Sequence, residues 1–241
     1  MTDDRIPRRK FLTGAGAAGT AVAAALGGGL AACADGTKPQ SPQAAASPPA
    51  SEPLLTLTAT EAAFLGAAYD TLIPADRLSP SGSDCGLVVY TDRQLAGAWG
   101  SGARLYRGGP FVTGKPEQGY QLSLTPRDYF AAGIRETNAW TRRRYGKEFD
   151  RLAPAEREAA FKAMEGGKAE LADLDGKQFF EALLQSAMEG FFADPIYGGN
   201  RNKVSWRMVG YPGLPATYAA TALAYRGKKL DLEPQSIADF S

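Results

Sequence analysis

The residues able to do chemistry in this chain are few in kind. There are two cysteines, Cys33 and Cys85, 26 acidic side chains and no histidine. Without histidine there is no Ser-His-Asp or Cys-His pair, no His-ligated zinc or haem, and no ordinary general base near neutral pH. Two cysteines cannot build a Cys-only zinc or iron–sulfur site, and no C-x-x-C-H run for covalent haem is present. No Asp/Glu pair stands out from ordinary surface charge as a hydrolase's paired carboxylates would. No cofactor is therefore expected in this chain. What remains is modification of a cysteine and recognition by aromatic and arginine side chains.

Cys33 closes the run Leu30-Ala31-Ala32-Cys33, a branched apolar residue and two small ones before a cysteine. That is the pattern of a bacterial lipobox, in which cleavage precedes the cysteine and its thiol receives a diacylglycerol. The alternative is ordinary cleavage after an Ala-x-Ala-like site, leaving a free thiol. Residues 14–32 are uncharged and rich in Ala and Gly, with only two leucines. They read as the h-region of a signal peptide and make a poor membrane span. Just ahead stand Arg8, Arg9, Lys10, Phe11 and Leu12, and a paired arginine followed by x-Phe-Leu resembles the twin-arginine export signal. The expected course is export by that route to the periplasmic face of the cell envelope, with a lipid anchor on Cys33. Two or more acyl chains, at about 0.8 kcal/mol per buried CH₂, hold a protein stably on a bilayer. Gly14, Gly16 and Gly19 also spell a dinucleotide-binding G-x-G-x-x-G, but they follow a charged leader instead of a strand, and that reading is discarded.

The elements that must carry any recognition lie further on. Residues 34–53 hold five prolines and no hydrophobic type but alanine, so they cannot bury a core and read as a disordered tether. Extended at about 3.1 Å per residue, they span up to roughly 60 Å. The chain thus divides into a signal peptide (1–32), a lipid-anchored linker (33–53) and a folded domain (54–241). Removing residues 1–32 leaves 23 basic against 24 acidic residues, and no clustered positive excess invites nucleic acid. The 54–241 segment reads as a mostly α, small single-domain helical bundle with long Gly/Pro-rich loops. A capping-box pattern at Thr58 and Glu61 opens a first helix that Pro74 stops. Residues 86–95 fit a helix slightly better than a strand, and 97–120, with seven glycines and two prolines, a long loop. Thr125 and Pro126 open a helix to about Tyr145, Pro154 opens another, and 176–192 is a further one. The segment from Lys203 is expected to add a short helix or two. Cys85 reads as a buried or semi-buried free thiol, and Arg142, Arg143 and Arg144 as a solvated helix end.

The most distinctive stretch is 189–213, where aromatics interleave with Gly198-Gly199, Asp194-Pro195 and Pro212-Gly213. It reads as a helix end, a tight glycine-rich loop tied by Asp194 and Asn200, and a second helix bearing Trp206. Its aromatics are core in one reading. In the sharper one, a rigid loop exposing Tyr197, Asn200, Arg201 and Trp206 forms a docking surface, with Phe191, Asp194, Gly198 and Gly199 building it.

Gly190, Phe191, Phe192, Asp194, Pro195, Tyr197, Gly198, Gly199, Asn200, Trp206, Gly210, Pro212 and Gly213 together resemble the signature run of the gluconate 2-dehydrogenase subunit 3 family. Leu72 to Asp76 and Val89 to Leu95 also look like that family's first two helices, so the likeness covers roughly 58–213. Cys85 departs from it, standing where a small or acidic residue is expected. The resemblance implies a non-catalytic small subunit beside a large FAD-containing dehydrogenase of the glucose–methanol–choline type, often with a multihaem cytochrome c subunit. It also accords with the leader, since family members often carry a twin-arginine signal. That route serves proteins folded before export, commonly around a cofactor. A cofactor-free chain with such a signal is therefore expected to escort a flavoprotein that lacks one and to hold it at the membrane. The rival expectations are a solitary lipoprotein binding or scaffold module and, less favoured, a stand-alone lipoprotein hydrolase.

Overall fold

Residues 53–112, 114–115, 118–215 and 217–240 are described by the computed structural model. The leader with Arg8, Arg9, Phe11 and Leu12, the cysteine Cys33 and the linker up to residue 52 lie outside them. Among the described residues seven α-helices form and no strand does. Helix α1 (Ala59–Leu72) starts where Thr58 and Glu61 cap each other: the Glu61 amide donates to the Thr58 hydroxyl at 3.3 Å and the Thr58 amide to the Glu61 carboxylate at 2.8 Å. This satisfies two of the four amides that a helix start leaves without partners. Helix α2 (Leu87–Ala96) follows Gly86, which settles residues 86–95 as helix. Helix α3 (Pro126–Tyr145) repeats the capping box with Thr125 and Asp128 and stops at Gly146 in the left-handed region. Helix α4 (Pro154–Glu165) and helix α5 (Gly176–Phe192) follow, the latter capped by the Asp175 carboxylate on the Lys177 and Gln178 amides. Two short helices, α6 (Val204–Val209) and α7 (Ala219–Ala224), complete the set.

The apolar faces of α1 to α5 close on one core. A run of rings threads it: Phe180 to Phe161 (5.3 Å between centroids), Phe161 to Phe149 (4.8 Å), Phe149 to Phe64 (4.9 Å) and Phe64 to Phe179 (6.5 Å). Tyr129 meets Phe179 edge-on at 5.8 Å, an arrangement worth about 0.5–1.5 kcal/mol beyond burial. Three hydroxyls inside this core are joined to one another. The hydroxyls of Tyr69 on α1, Thr91 on α2 and Ser186 on α5 form a closed triangle of 2.7, 3.0 and 3.0 Å. Burial pushes the Tyr69 phenol up to about 12.

Two buried carboxylates fasten irregular backbone to the bundle. Asp92 on α2, 1% exposed, accepts from the amides of Leu55 (2.6 Å), Thr56 (3.0 Å) and Leu57 (2.9 Å). Glu136 on α3 accepts from the Asp173 and Leu174 amides at 3.0 and 3.2 Å. Arg127 donates Nε and Nη2 to the Leu95 carbonyl, binding the end of α2 to the start of α3. Charge-assisted bonds of this kind are worth about 1.5–3 kcal/mol, so the entry of the domain is pinned, not frayed.

Candidate functional site

The run from Gly190 to Gly213 folds as one rigid saddle across α2 and α5. Helix α5 ends at Phe192, and Asp194 then caps a single 3₁₀ turn (Pro195–Tyr197), its carboxylate accepting from the Ile196 amide at 3.0 Å. Gly198 reverses the chain at φ 99°, a backbone state that costs an L side chain free energy and glycine none. Gly199 then lies flat on α5: a Cβ there would stand 2.2 Å from the Gly190 carbonyl oxygen. That contact explains glycine at 199, as the positive φ explains it at 198.

Asn200 ties the saddle together from inside. It sits at φ 45°, is 0% exposed, donates Nδ2 to the Ala193 carbonyl at 2.9 Å, and accepts on Oδ1 from the Ser205 amide (3.0 Å) and hydroxyl (2.8 Å). Asn202 and Lys203 also hold positive φ, at 57° and 56°. Three such non-glycine residues in four store strain, which the surrounding bonds must offset. Trp206, on α6, is 6% exposed and donates Nε1 to the Phe192 carbonyl at 3.0 Å. The Arg201 amide donates to the Cys85 carbonyl at 3.1 Å, binding the saddle to the start of α2. Burial lifts the Cys85 thiol to about 11, so it is a free, protonated core thiol, as its sequence context implied.

The C-terminal segment clasps the same element. Lys203 Nζ donates to the Pro234 carbonyl (2.9 Å) and the Asp239 carboxylate (2.5 Å), and the Asp194 carboxylate accepts from the Ile237 amide at 2.9 Å. Arg207 binds Glu233 and the Asn202 carbonyl, and Gly213 bridges Gln235. The hydrogen bond from Lys203 holds the Asp239 carboxyl below the usual carboxylate range.

These contacts correct the expected outer face. Asn200 and Trp206 point inward and are buried, because the tight turn needs an internal donor and acceptor and α6 needs an apolar foot. Phe191, Gly198 and Gly199 are likewise buried, and Asp194 and Arg201 are half-buried. Tyr197 alone of the expected interface residues is well exposed, at 50%. It does not stand alone on the surface. Met188, Phe192 and Ile196 are exposed beside it, and Tyr197, Phe192, Tyr90, Gln94, Glu189 and Asp194 line a groove of about 400 Å³. The Tyr90 phenol there is raised by burial and by the Glu189 carboxylate. Met188 and Phe192, spaced i, i+4 on the outer side of α5, were the available sequence signal for this strip. Ile196 and the C-terminal clasp had none.

The arrangement offers contact area and a shaped groove, with no nucleophile–base pair in it. Among the described residues no group of three or more Cys, Asp or Glu is placed to hold a metal ion. None of the described helices is long and apolar enough to cross a membrane. Comparison with protein-family models matches residues 59–213 to the family described as gluconate 2-dehydrogenase subunit 3. No match is found among curated proteins or among solved structures.

Proposed function

We propose, from the premise that this chain belongs to the gluconate 2-dehydrogenase subunit 3 family, that it is the non-catalytic subunit that carries a flavoprotein out of the cell and keeps it at the membrane. The family is an accessory subunit of a multi-subunit gluconate 2-dehydrogenase complex, which implies a dehydrogenase partner. In our reading that partner is a large FAD-containing subunit of the glucose–methanol–choline type acting on a sugar acid, sugar or polyol, with a multihaem cytochrome c as a further member. The FAD and haem belong to those subunits. The twin-arginine signal with Arg8, Arg9, Phe11 and Leu12 supplies the route to the periplasm, and acylated Cys33 the hold on the membrane.

One observation carries the docking role. The family run builds a saddle whose buried residues bond only inward, leaving Met188, Phe192, Ile196 and Tyr197 outward beside a preformed groove. A rigid apolar strip of this kind loses little conformational entropy on binding, which favours a tight protein interface. Co-purification from native membranes tests it. The wild-type chain should bring down a yellow flavoprotein, and Tyr197→Ala should weaken that association by roughly 30-fold or more while leaving the helical content intact. The double variant Arg8→Lys/Arg9→Lys should strand both proteins in the cytoplasm. Undiminished periplasmic dehydrogenase activity in the double variant, with a partner lacking its own signal, would sink the escort role.

A further inference from the structure

The long loop between α2 and α3 carries a second exposed apolar set, far in sequence from the saddle. Tyr106 is 89% and Val112 69% exposed, with Leu105 and Phe111 exposed beside them. Arg104, Arg107 and Lys115 interleave with these residues, against the single acid Glu117 in 97–124. The loop is held at its root. Tyr120 stacks on buried Tyr129 with centroids 4.0 Å apart, Arg107 donates to the Ser123 carbonyl at 3.4 Å, and the Arg127 amide to the Gly100 carbonyl at 3.1 Å. Its aromatic and aliphatic tips therefore stand away from the core.

The place where the tether enters the domain adds an independent observation. Asp92 fixes residues 55–57, four residues before α2 ends, about 6 Å along the axis. The chain that bears Cys33 thus joins the domain against the middle of α2, the helix from whose end the loop departs, and Leu55 is 66% exposed there. Cations alternating with aromatics and aliphatics suit a negatively charged lipid surface, where rings settle at the headgroup level and Lys or Arg meets phosphate.

We infer that the 97–124 loop rests on an anionic bilayer: Tyr106 and Val112 enter the headgroup boundary while Arg104 and Lys115 contact lipid phosphates. Lipid on Cys33 then sets only the distance of the domain from the membrane, and the loop sets which side faces it. The inference deepens the anchoring proposed above and rests on that reading for its orientation.

The test uses the mature chain, residues 33–241, carrying Cys33→Ala, so that no acyl chain contributes; the whole described fold lies within it. Its partition onto vesicles of phosphatidylcholine containing roughly a third phosphatidylglycerol is measured by co-sedimentation and compared with pure phosphatidylcholine. Binding should need the anionic lipid and weaken with salt. Arg104→Glu/Lys115→Glu should lower the partition coefficient by at least about thirtyfold, and Tyr106→Ser/Val112→Ser by roughly tenfold. Neither pair touches the core, so the helical signal should not change. Equal partition onto neutral and anionic vesicles overturns the inference. Unchanged partition of both variants overturns it too, and loss of the flavoprotein in place of lipid binding assigns the loop to that partner. Fatty-acid labelling of the wild-type chain reports separately on Cys33, so failure of the anchor would leave the loop result standing.

Discussion

Asn200 does inside the saddle what a surface asparagine could not, spending donor and acceptor on backbone seven residues upstream and on a serine five residues downstream. The same inward logic applies to Trp206. Its type and setting suggested an interface anchor, yet the ring underpins α6 and meets Tyr211 edge-on at 5.1 Å. Trp206 and Tyr197 should therefore separate cleanly. Trp206→Ala removes a large buried ring and the donor to the Phe192 carbonyl, and should cost about 3–5 kcal/mol of stability. Tyr197→Ala, at a half-exposed position, should cost about 1 kcal/mol or less and act mainly on association. Urea unfolding of the two variants decides it. Equal midpoints would show that Trp206 is not the buried prop its contacts make it.

At the level of elements, the fit between saddle and bundle depends on backbone meeting backbone. Gly199 lies on Gly190 of α5, and a Cβ on Gly198 would come within 2.9 Å of Val89 on α2. Gly199→Ala must therefore lift the loop off α5, and should cost about 1–3 kcal/mol, the usual range for overpacking. Because Phe192 and Tyr197 flank the same groove, it should also weaken binding of the dehydrogenase partner; a variant with wild-type stability and binding would mean that the loop tolerates displacement. Much of this element level is legible in the sequence. Thr58 with Glu61, Thr125 with Asp128, and Pro154 mark helix starts because capping is local, and the glycine pair marks the reversal because φ is a local property. The α2 helix is the weaker case, since Val88-Val89-Tyr90 suits a strand as well and packing against α1 and α5 decides it. What the sequence does not display are pairings across long separations. Asp92 with residues 55–57, Lys203 with Asp239 and Asp194 with Ile237 depend on how the helices dock, which no local pattern encodes. For the same reason the pattern of the run does not separate exposed Tyr197 and Phe192 from buried Phe191 and Trp206. Composition says that the run is rich in rings, and only packing says which of them face out.

For the molecule as a whole, a core that buries two phenols and a thiol, Tyr69, Tyr129 and Cys85, carries a specific alkaline weakness. Burial raises Cys85 from 9.0 to about 11 and Tyr69 from 10.0 to about 12, and it raises Tyr129 as well. In each case the native state keeps a proton that the unfolded chain has already released, so the unfolded state binds fewer protons and stability falls as pH rises. The contribution is fully present below the unfolded value and is lost up to the folded one. The thiol's share therefore begins to go above pH 9 and is gone near pH 11, while the Tyr69 share goes between pH 10 and 12. Two pKa units correspond to roughly 2–3 kcal/mol, so the thiol alone should be visible in the slope. Unfolding midpoints in urea, measured from pH 7 to 11, should be level up to pH 9 and then decline in the wild-type chain. Cys85→Ala deletes the first of these groups. Its midpoints should start somewhat lower, from the small cavity, and stay level for about one further pH unit before the phenols take over. Parallel decline of both proteins from pH 9 would assign the alkaline weakness to groups other than Cys85. The thiol would then have no bearing on the pH range over which the saddle, seated on the Cys85 carbonyl, keeps its shape.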